Sequence, residues 1–399
     1  TLGYVRKGSE WARPATWKPP RPDSKGDAAA CAERLRRATA PYLAAILEAA
    51  ASDAGLGAAD LEARWAALEE AVALAPDDEA LRAARREVLD AGRWLLAETV
   101  AARPRRAAIA AAAAAATKAA PEPEAAPLDA VDAKVRIPWT GAVRTPVVAV
   151  AGTIAGDELS RCARAVHAAV DVFRAATQAD ARLEPGFTVL APANAAHRDA
   201  VARTHPGVED ADRERHVKNA AFTFGARVVV FEGEERGRLD AACSYAAGSL
   251  ASSALGVWGD RGAMYQGFTL HVTWLTLGTR LSFFTRPDAY GGTALLRDRL
   301  LKPDVDWFLE AKAALGEARP PRFENLLRVD VNGLEARDLV VGYAFFVYLL
   351  ETRPPDAFAR ISRALGGDRL PEEVLVEHLR LTPNLLSSRL ARWLDERRF

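Results

Sequence analysis

Apolar positions along this chain recur with two different periods. Leu61, Trp65, Leu68 and Val72 are spaced 4, 3 and 4, which lines one face of an amphipathic helix. Pro76-Asp77-Asp78-Glu79 then reads as a helix restart, because a first turn has spare N–H groups and tolerates Pro and acids there. Leu81, Val88, Leu89, Leu95 and Leu96 are expected to continue that helical face. From about Lys134 the pattern shifts. Val147 to Val150, Phe187 to Leu190 and Arg227 to Phe231 are short runs rich in β-branched residues, and each predicts a strand. Between the first two, Cys162, Val166, Ala169, Val170 and Phe173 mark a helix face, and Ala193 to Arg203 predicts a polar helix before the third. The charged segment Glu209 to Arg215 is expected in a surface loop or short helix. Beyond Leu239 nearly everything reads as helix. The block Val340 to Leu350 must be core, since 11 residues cannot cross a bilayer. Gly366-Gly367-Asp368 ahead of Pro371 reads as one helix stopping and another starting, and Thr382-Pro383 places an N-cap and an N1 proline before a closing helix through Leu386, Leu390 and Trp393.

These rhythms divide the chain into four parts. Residues 1–26 form an extended Pro/Trp arm, with Trp11, Trp17, Pro19, Pro20 and Pro22, whose tryptophans need a surface to cover them. Residues 27–106 form a helical region, and Ala66 to Leu89 resembles half of a tetratricopeptide-type repeat, too little for a solenoid. Residues 107–133 hold an alanine run, which can extend the preceding helix, and then Pro121-Glu122-Pro123-Glu124, which has nothing to bury and is expected to be a linker. Residues 134–399 form the main domain. Strands alternating with helices and followed by a helical half imply an α+β fold.

The 53 basic and 53 acidic residues cancel, which gives no support for nucleic acid or an anionic membrane as the main partner. Cys31, Cys162 and Cys243 are odd in number and far apart, so they read as small buried apolar residues and not as a disulfide frame or metal ribbon. No apolar run is long enough for a transmembrane segment. The first residue is Thr, with no basic-then-apolar leader, and any signal sequence is expected to have been removed.

The order strand, helix, strand, helix, strand, long helix and then a helical half resembles the peptidase-MA-like (gluzincin) domains of bacterial proteins. Thr145 to Phe173, Phe187-Thr188-Val189-Leu190-Ala191-Pro192, and Tyr343 to Leu350 with the helices after it carry the resemblance over about Lys134 to Phe399. Leu2-Gly3-Tyr4-Val5-Arg6 and Trp11 resemble a phrase that follows helical repeats in multidomain relatives. The resemblance implies a helix bearing His-Glu-x-x-His: two imidazoles one turn apart to hold zinc, a Glu to take a proton from the zinc water, and a third ligand in a later Glu-Gly phrase. The matching helix here is Leu239 to Ala247. By that correspondence Cys243 and Ala247 replace the histidines, Ser244 the catalytic Glu, and Gln266, in Tyr265-Gln266-Gly267, the third ligand. Using Trp258 to Gly262 instead puts Arg261 at the third position. The absence does not depend on the correspondence. His167, His197, His205, His216, His271 and His378 include no pair four apart, and none precedes a Glu.

The expectation is therefore a pseudopeptidase with no metal and no cofactor, a non-catalytic binding, assembly or structural protein whose partner is another protein or a second copy of itself. Its resemblance to exported relatives places it in the periplasm or at the cell surface. An alternative is a hydrolase of different mechanism, with Cys243 or Ser244 as nucleophile and His271 as base. Against it, His271 lies on an apolar stretch beside Trp274 and reads better as a packed core histidine. The glycine-rich phrases Gly256 to Gly262 and Tyr290-Gly291-Gly292-Thr293 lack phosphate-binding spacing and read as loops. The charge clusters Glu232 to Arg238 and Arg392 to Arg398 read as solvated faces, and Trp274, Phe283 and Phe284 are candidates to line a cleft.

Overall fold

The computed structural model describes residues 5–7, 10–12, 25–52, 55–219, 221–231, 234–285 and 293–398. The chain divides into two compact units, 1–97 and 98–399.

In the first unit, β1 (Val5–Lys7) and β2 (Glu10–Ala12) pair as an antiparallel hairpin within the expected arm. Trp17 and the prolines of the arm lie outside the described residues. Helices α1 (Lys25–Ala49), α2 (Ala58–Leu74) and α3 (Glu79–Ala84) follow. Leu61, Trp65, Leu68 and Val72 are all buried, as their spacing predicts, and Asp78 caps α3 by accepting from the Leu81 N–H at 3.0 Å. The helical reading then fails. Val88, Leu89, Leu95 and Leu96 lie in the hairpin β3 (Glu87–Asp90) and β4 (Arg93–Leu96), registered Leu89 to Trp94 and Val88 to Leu95. The physical reason is the two-residue turn Ala91-Gly92, where both φ values are positive (47° and 81°). A helix cannot continue through that geometry, whereas it matches the twist of a tight hairpin. Only the end of the repeat-like segment, from Glu87, is thus strand.

The second unit takes in α4 (Ala97–Ala119) and a mixed six-stranded sheet in the order β5-β6-β7-β8-β10-β9. These strands are β5 (Glu124–Ala126), β6 (Gly141–Arg144), β7 (Ala149–Gly152), β8 (Thr188–Ala191), β9 (Ala221–Phe224) and β10 (Arg227–Val230). The central three run parallel and the outer pairings are antiparallel. Two helices cross between strands: α5 (Gly156–Thr177) joins β7 to β8, and α6 (Ala195–Thr204) follows β8, with α7 (Arg213–Val217) before β9. The segment 107–133, expected to be a linker, is instead built into the unit. Its alanines complete α4, and Glu124–Ala126 gains its stability as an edge strand on β6 and not from burial of its own.

Side chains alternate across the sheet as pleating requires. Val150, Val189, Ala191, Val228 and Val230 point to the face covered by α5 and the next helix, α8 (Glu235–Leu255). Ala151, Leu190 and Val229 point to the other, against Val201 and Ala202 of α6. The remainder is helical: α9 (Gly262–Leu277), α10 (Thr293–Leu300), α11 (Trp307–Leu315), α12 (Phe323–Leu326), α13 (Ala336–Thr352), α14 (Pro355–Gly366), α15 (Pro371–Leu379) and α16 (Pro383–Glu396). Phe268 on α9 is its hub, with ring centroids 5.6 Å from Phe173, 4.5 Å from Phe346 and 5.8 Å from Phe358. Thr382 caps α16 through the Leu385 N–H, as the sequence predicts. The α+β class expected from the sequence is the one observed. Among the described residues no helix is long and apolar enough to cross a membrane.

Candidate functional site

The edge strand β9, helices α8 and α9, and the segment 281–284 enclose a cleft of about 900 Å³. A recess of about 450 Å³ adjoins it, sharing Tyr245 and Tyr265 and extending along Gly248, Ser249 and Ser252. The cleft is open.

Helix α8 presents a definite row to this space: Ala241, Ser244 and Tyr245 face the cleft, and Gly248 and Ser252 face the recess. Cys243 and Ala247 do not belong to that row. Both are fully buried, and neither lines the cleft or the recess. Gln266 is also buried, with no hydrogen-bond partner for its Oε1, and the α9 residue that reaches the cleft is its neighbour Tyr265. Of the residues matched to the zincin motif, only Ser244 lines the cleft. The α8 positions four apart that both line the cleft are Ala241 and Tyr245, and Ser244 of the cleft is followed four residues on by Gly248 of the recess; neither pair is the one matched by sequence.

Tyr265 packs its ring and hydroxyl against α8 at Gly248. A Cβ on Gly248 would collide with the Tyr265 hydroxyl, so glycine is what admits the phenol against α8. Burial pushes that phenol up to about 12. A hydroxyl, a missing side chain and a protonated phenol do not make a zinc site, which needs neutral imidazole, thiolate or carboxylate donors. Among the described residues no three His, Cys, Asp or Glu side chains gather as a metal would require. No step through a metal follows from these residues.

Nor does a nucleophile assemble. Cys243 is enclosed, and burial, Cys162 and Asp240 push its thiol well above the ordinary range, so it stays protonated. His271, proposed as a base, is bonded to the Tyr343 hydroxyl through Nδ1 at 3.2 Å and packs on the Phe346 ring. Burial first, then Arg397 and Arg280, depress it to about 3, so the ring is neutral and sits as the packed core histidine the sequence suggests. Phe283 and Phe284 do line the cleft, whereas Trp274 belongs to a separate cavity.

The cleft has other features that the sequence does not single out. Its charged lining among the described residues is basic: Arg215, Lys218 and Arg297, with no carboxylate. Arg215 pairs with Asp212 at 2.9 Å, and among the described residues no ion pair is found for Lys218 or Arg297. His216 stacks on Phe222 with centroids 4.4 Å apart, and its pKa is lowered, by burial first and then by Arg215. The floor is fixed by Asp240, a fully buried carboxylate on α8. Its Oδ2 accepts from Thr279 Oγ1 (2.5 Å) and the Leu281 N–H (3.0 Å), and its Oδ1 accepts from the Ser282 N–H (2.7 Å). Elsewhere in the unit, Asp132 accepts from His205 Nε2 at 2.8 Å and Arg227 Nε at 2.6 Å, while His205 Nδ1 accepts from the Gly207 N–H. That pair has no nucleophile and serves to tie β10 to the turn at 132–134.

Comparison with protein families, with curated proteins and with solved structures finds no significant match for this chain.

Proposed function

We propose that the chain is a non-catalytic, pseudopeptidase-like binding protein, and that the cleft between β9 and α8 receives an extended, acidic stretch of polypeptide without cutting it. The observation that supports this reading is the Tyr265 hydroxyl packed against Gly248, on the helix that the resemblance matches to the zinc-binding one, with about 900 Å³ of cleft open beside it. Two further features favour polypeptide. Among the described residues strand β9 pairs only with β10, so its outer edge carries N–H and C=O groups with no ladder partner there beside the cleft, the arrangement that accepts an added strand. The lining supplies aromatic surface from Tyr245, Phe283 and Phe284, and a positive field from Lys218 and Arg297 that steers carboxylate-bearing segments. The resemblance to gluzincin domains agrees with this placement of strand and helix and adds the origin of the cleft. The hydrolase alternative gains nothing from Cys243, which is buried and protonated.

The test is fluorescence anisotropy with labelled acidic peptides and their charge-reversed counterparts, followed by mass spectrometry of the peptide after prolonged incubation. Binding of the acidic set, weakened by salt and by Lys218→Glu with Arg297→Glu, with the peptide recovered intact, is the expected result. Cleavage above the buffer rate, or equal binding of both sets by the wild type and the double variant, would overturn the proposal.

A further inference from the structure

A second site, independent of the cleft reading, lies where the buried cation Arg280 meets a small cavity. Three arginines are buried among the described residues. Arg238 pairs with Glu158 and Arg389 pairs with Glu98. Arg280, only 8% exposed, has no carboxylate partner among the described residues. Its guanidinium lies over Trp274 at 4.1 Å, Trp307 at 4.8 Å and Tyr343 at 5.3 Å, and is hydrogen-bonded to the Tyr343 hydroxyl.

Ring stacking engages the face of a guanidinium and leaves its in-plane N–H donors free. Arg280 also lines a cavity of about 30 Å³ whose lining among the described residues includes Arg236 and Lys302, both exposed, and no acidic residue. Three cations around so small a space repel one another, and burying an unpaired charge is costly. Cation–π contacts offset part of that cost. They do nothing for the repulsion from Arg236 and Lys302. An anion in the cavity would relieve both.

We infer that the cavity formed by Arg280, Arg236 and Lys302 is a binding site for a small oxyanion of the phosphate class. The number of cations selects the charge. One carboxylate neutralises a single positive group, whereas a phosphate dianion offers two charges and several acceptor oxygens to guanidinium donors arranged for bidentate contact. The size selects a small group, since the space holds a few water-sized atoms and no organic body. The exposure of Lys302 allows the phosphate to be the free ion or the end of a phosphomonoester.

The test titrates the purified full chain with inorganic phosphate, glycerol phosphate, acetate and chloride at constant ionic strength, by calorimetry and by thermal unfolding. Saturable binding of phosphate with a rise in Tm, absent with chloride and weaker with acetate, is expected. Binding of glycerol phosphate as well supports the site and identifies an ester as an admissible source. The variant Arg236→Ala with Lys302→Ala changes only exposed side chains and should weaken phosphate binding by about tenfold. Arg280→Met should abolish it, and if that variant does not fold, the exposed pair decides. Phosphate that stabilises no more than chloride, or that binds the exposed-pair variant as it binds the wild type, would overturn the inference.

Discussion

Asp240 joins the two sites, because the segment it holds lines both of them. Its carboxylate accepts three hydrogen bonds, from Thr279 Oγ1, the Leu281 N–H and the Ser282 N–H. Leu281 lines the cleft and the Arg280 cavity, and Ser282 lines the cleft. In Asp240→Ala all three bonds are lost, and two backbone N–H groups and a hydroxyl are left without a partner. Each orphaned buried donor costs about 1–3 kcal/mol, and the lower half of that range applies because Leu281 and Ser282 are half-buried and water can reach them in part. The total is about 3–6 kcal/mol. At the 2–4 °C per kcal/mol typical of large domains, thermal unfolding of the second unit should fall by roughly 6–24 °C. Asp240→Asn keeps one acceptor oxygen but turns an NH₂ toward a backbone donor, so it should fall between the wild type and Asp240→Ala. Differential scanning calorimetry reads both variants. Asp240→Ala within about 0.5 kcal/mol of the wild type, the range of an ordinary surface change, would refute the assignment of Asp240 as the anchor of this segment.

Three more outcomes follow from the same physical terms. Burial would push Glu98 up, but Arg389 (2.5 Å and 2.6 Å), Arg353 and the Tyr348 hydroxyl hold its carboxyl below the ordinary 4.5. A depressed carboxyl contributes stability above its unfolded value, and that stability is lost as pH falls through the folded value. Acid unfolding followed by circular dichroism should therefore show a steeper loss below about pH 4.5 in the wild type than in Glu98→Gln. At neutral pH Glu98→Gln should cost about 3–5 kcal/mol, while the apolar pair Glu98→Met with Arg389→Met recovers most of it; equal losses in the single and double variants would contradict a desolvated pair. Ala91 sits at φ 47° in the β3–β4 turn, so Ala91→Asn should stabilise the first unit by about 1 kcal/mol in urea titration, and a loss of stability would count against the hairpin. Mass-mapped maleimide labelling should leave Cys162 and Cys243 untouched in the native protein and modify both in denaturant.

The sequence made some elements legible because their signals are local. The Thr382-Pro383 cap, the α2 face and the three parallel strands each follow from residues a few positions apart. Strands β5, β6 and β9 did not show, being three or four residues long and made largely of Ala, Gly and Thr; they exist only because a neighbour completes their ladders. The β3–β4 hairpin was hidden by an alanine in a position that usually advertises itself with Asn or Asp. A cleft borders the helix singled out in sequence, but which residues of that helix face it was not legible. Helix α8 is buried on nearly every side, from Asp240 and Ala241 through Ser252 and Leu255, so composition does not say which row looks outward. A one-residue difference in phase exchanges Cys243 and Ala247 for Ser244 and Gly248. Arg280 went unnoticed because an isolated Arg in sequence gives no sign that three aromatic rings from three helices will surround it.

The most direct test of a cleft that binds and does not cut is metal analysis of the purified full chain by mass spectrometry, with peptide hydrolysis measured before and after chelation. The account predicts zinc far below one ion per chain and no chelator-sensitive hydrolysis. One tightly held zinc per chain, with peptide cleavage that chelation abolishes and zinc restores, would contradict it.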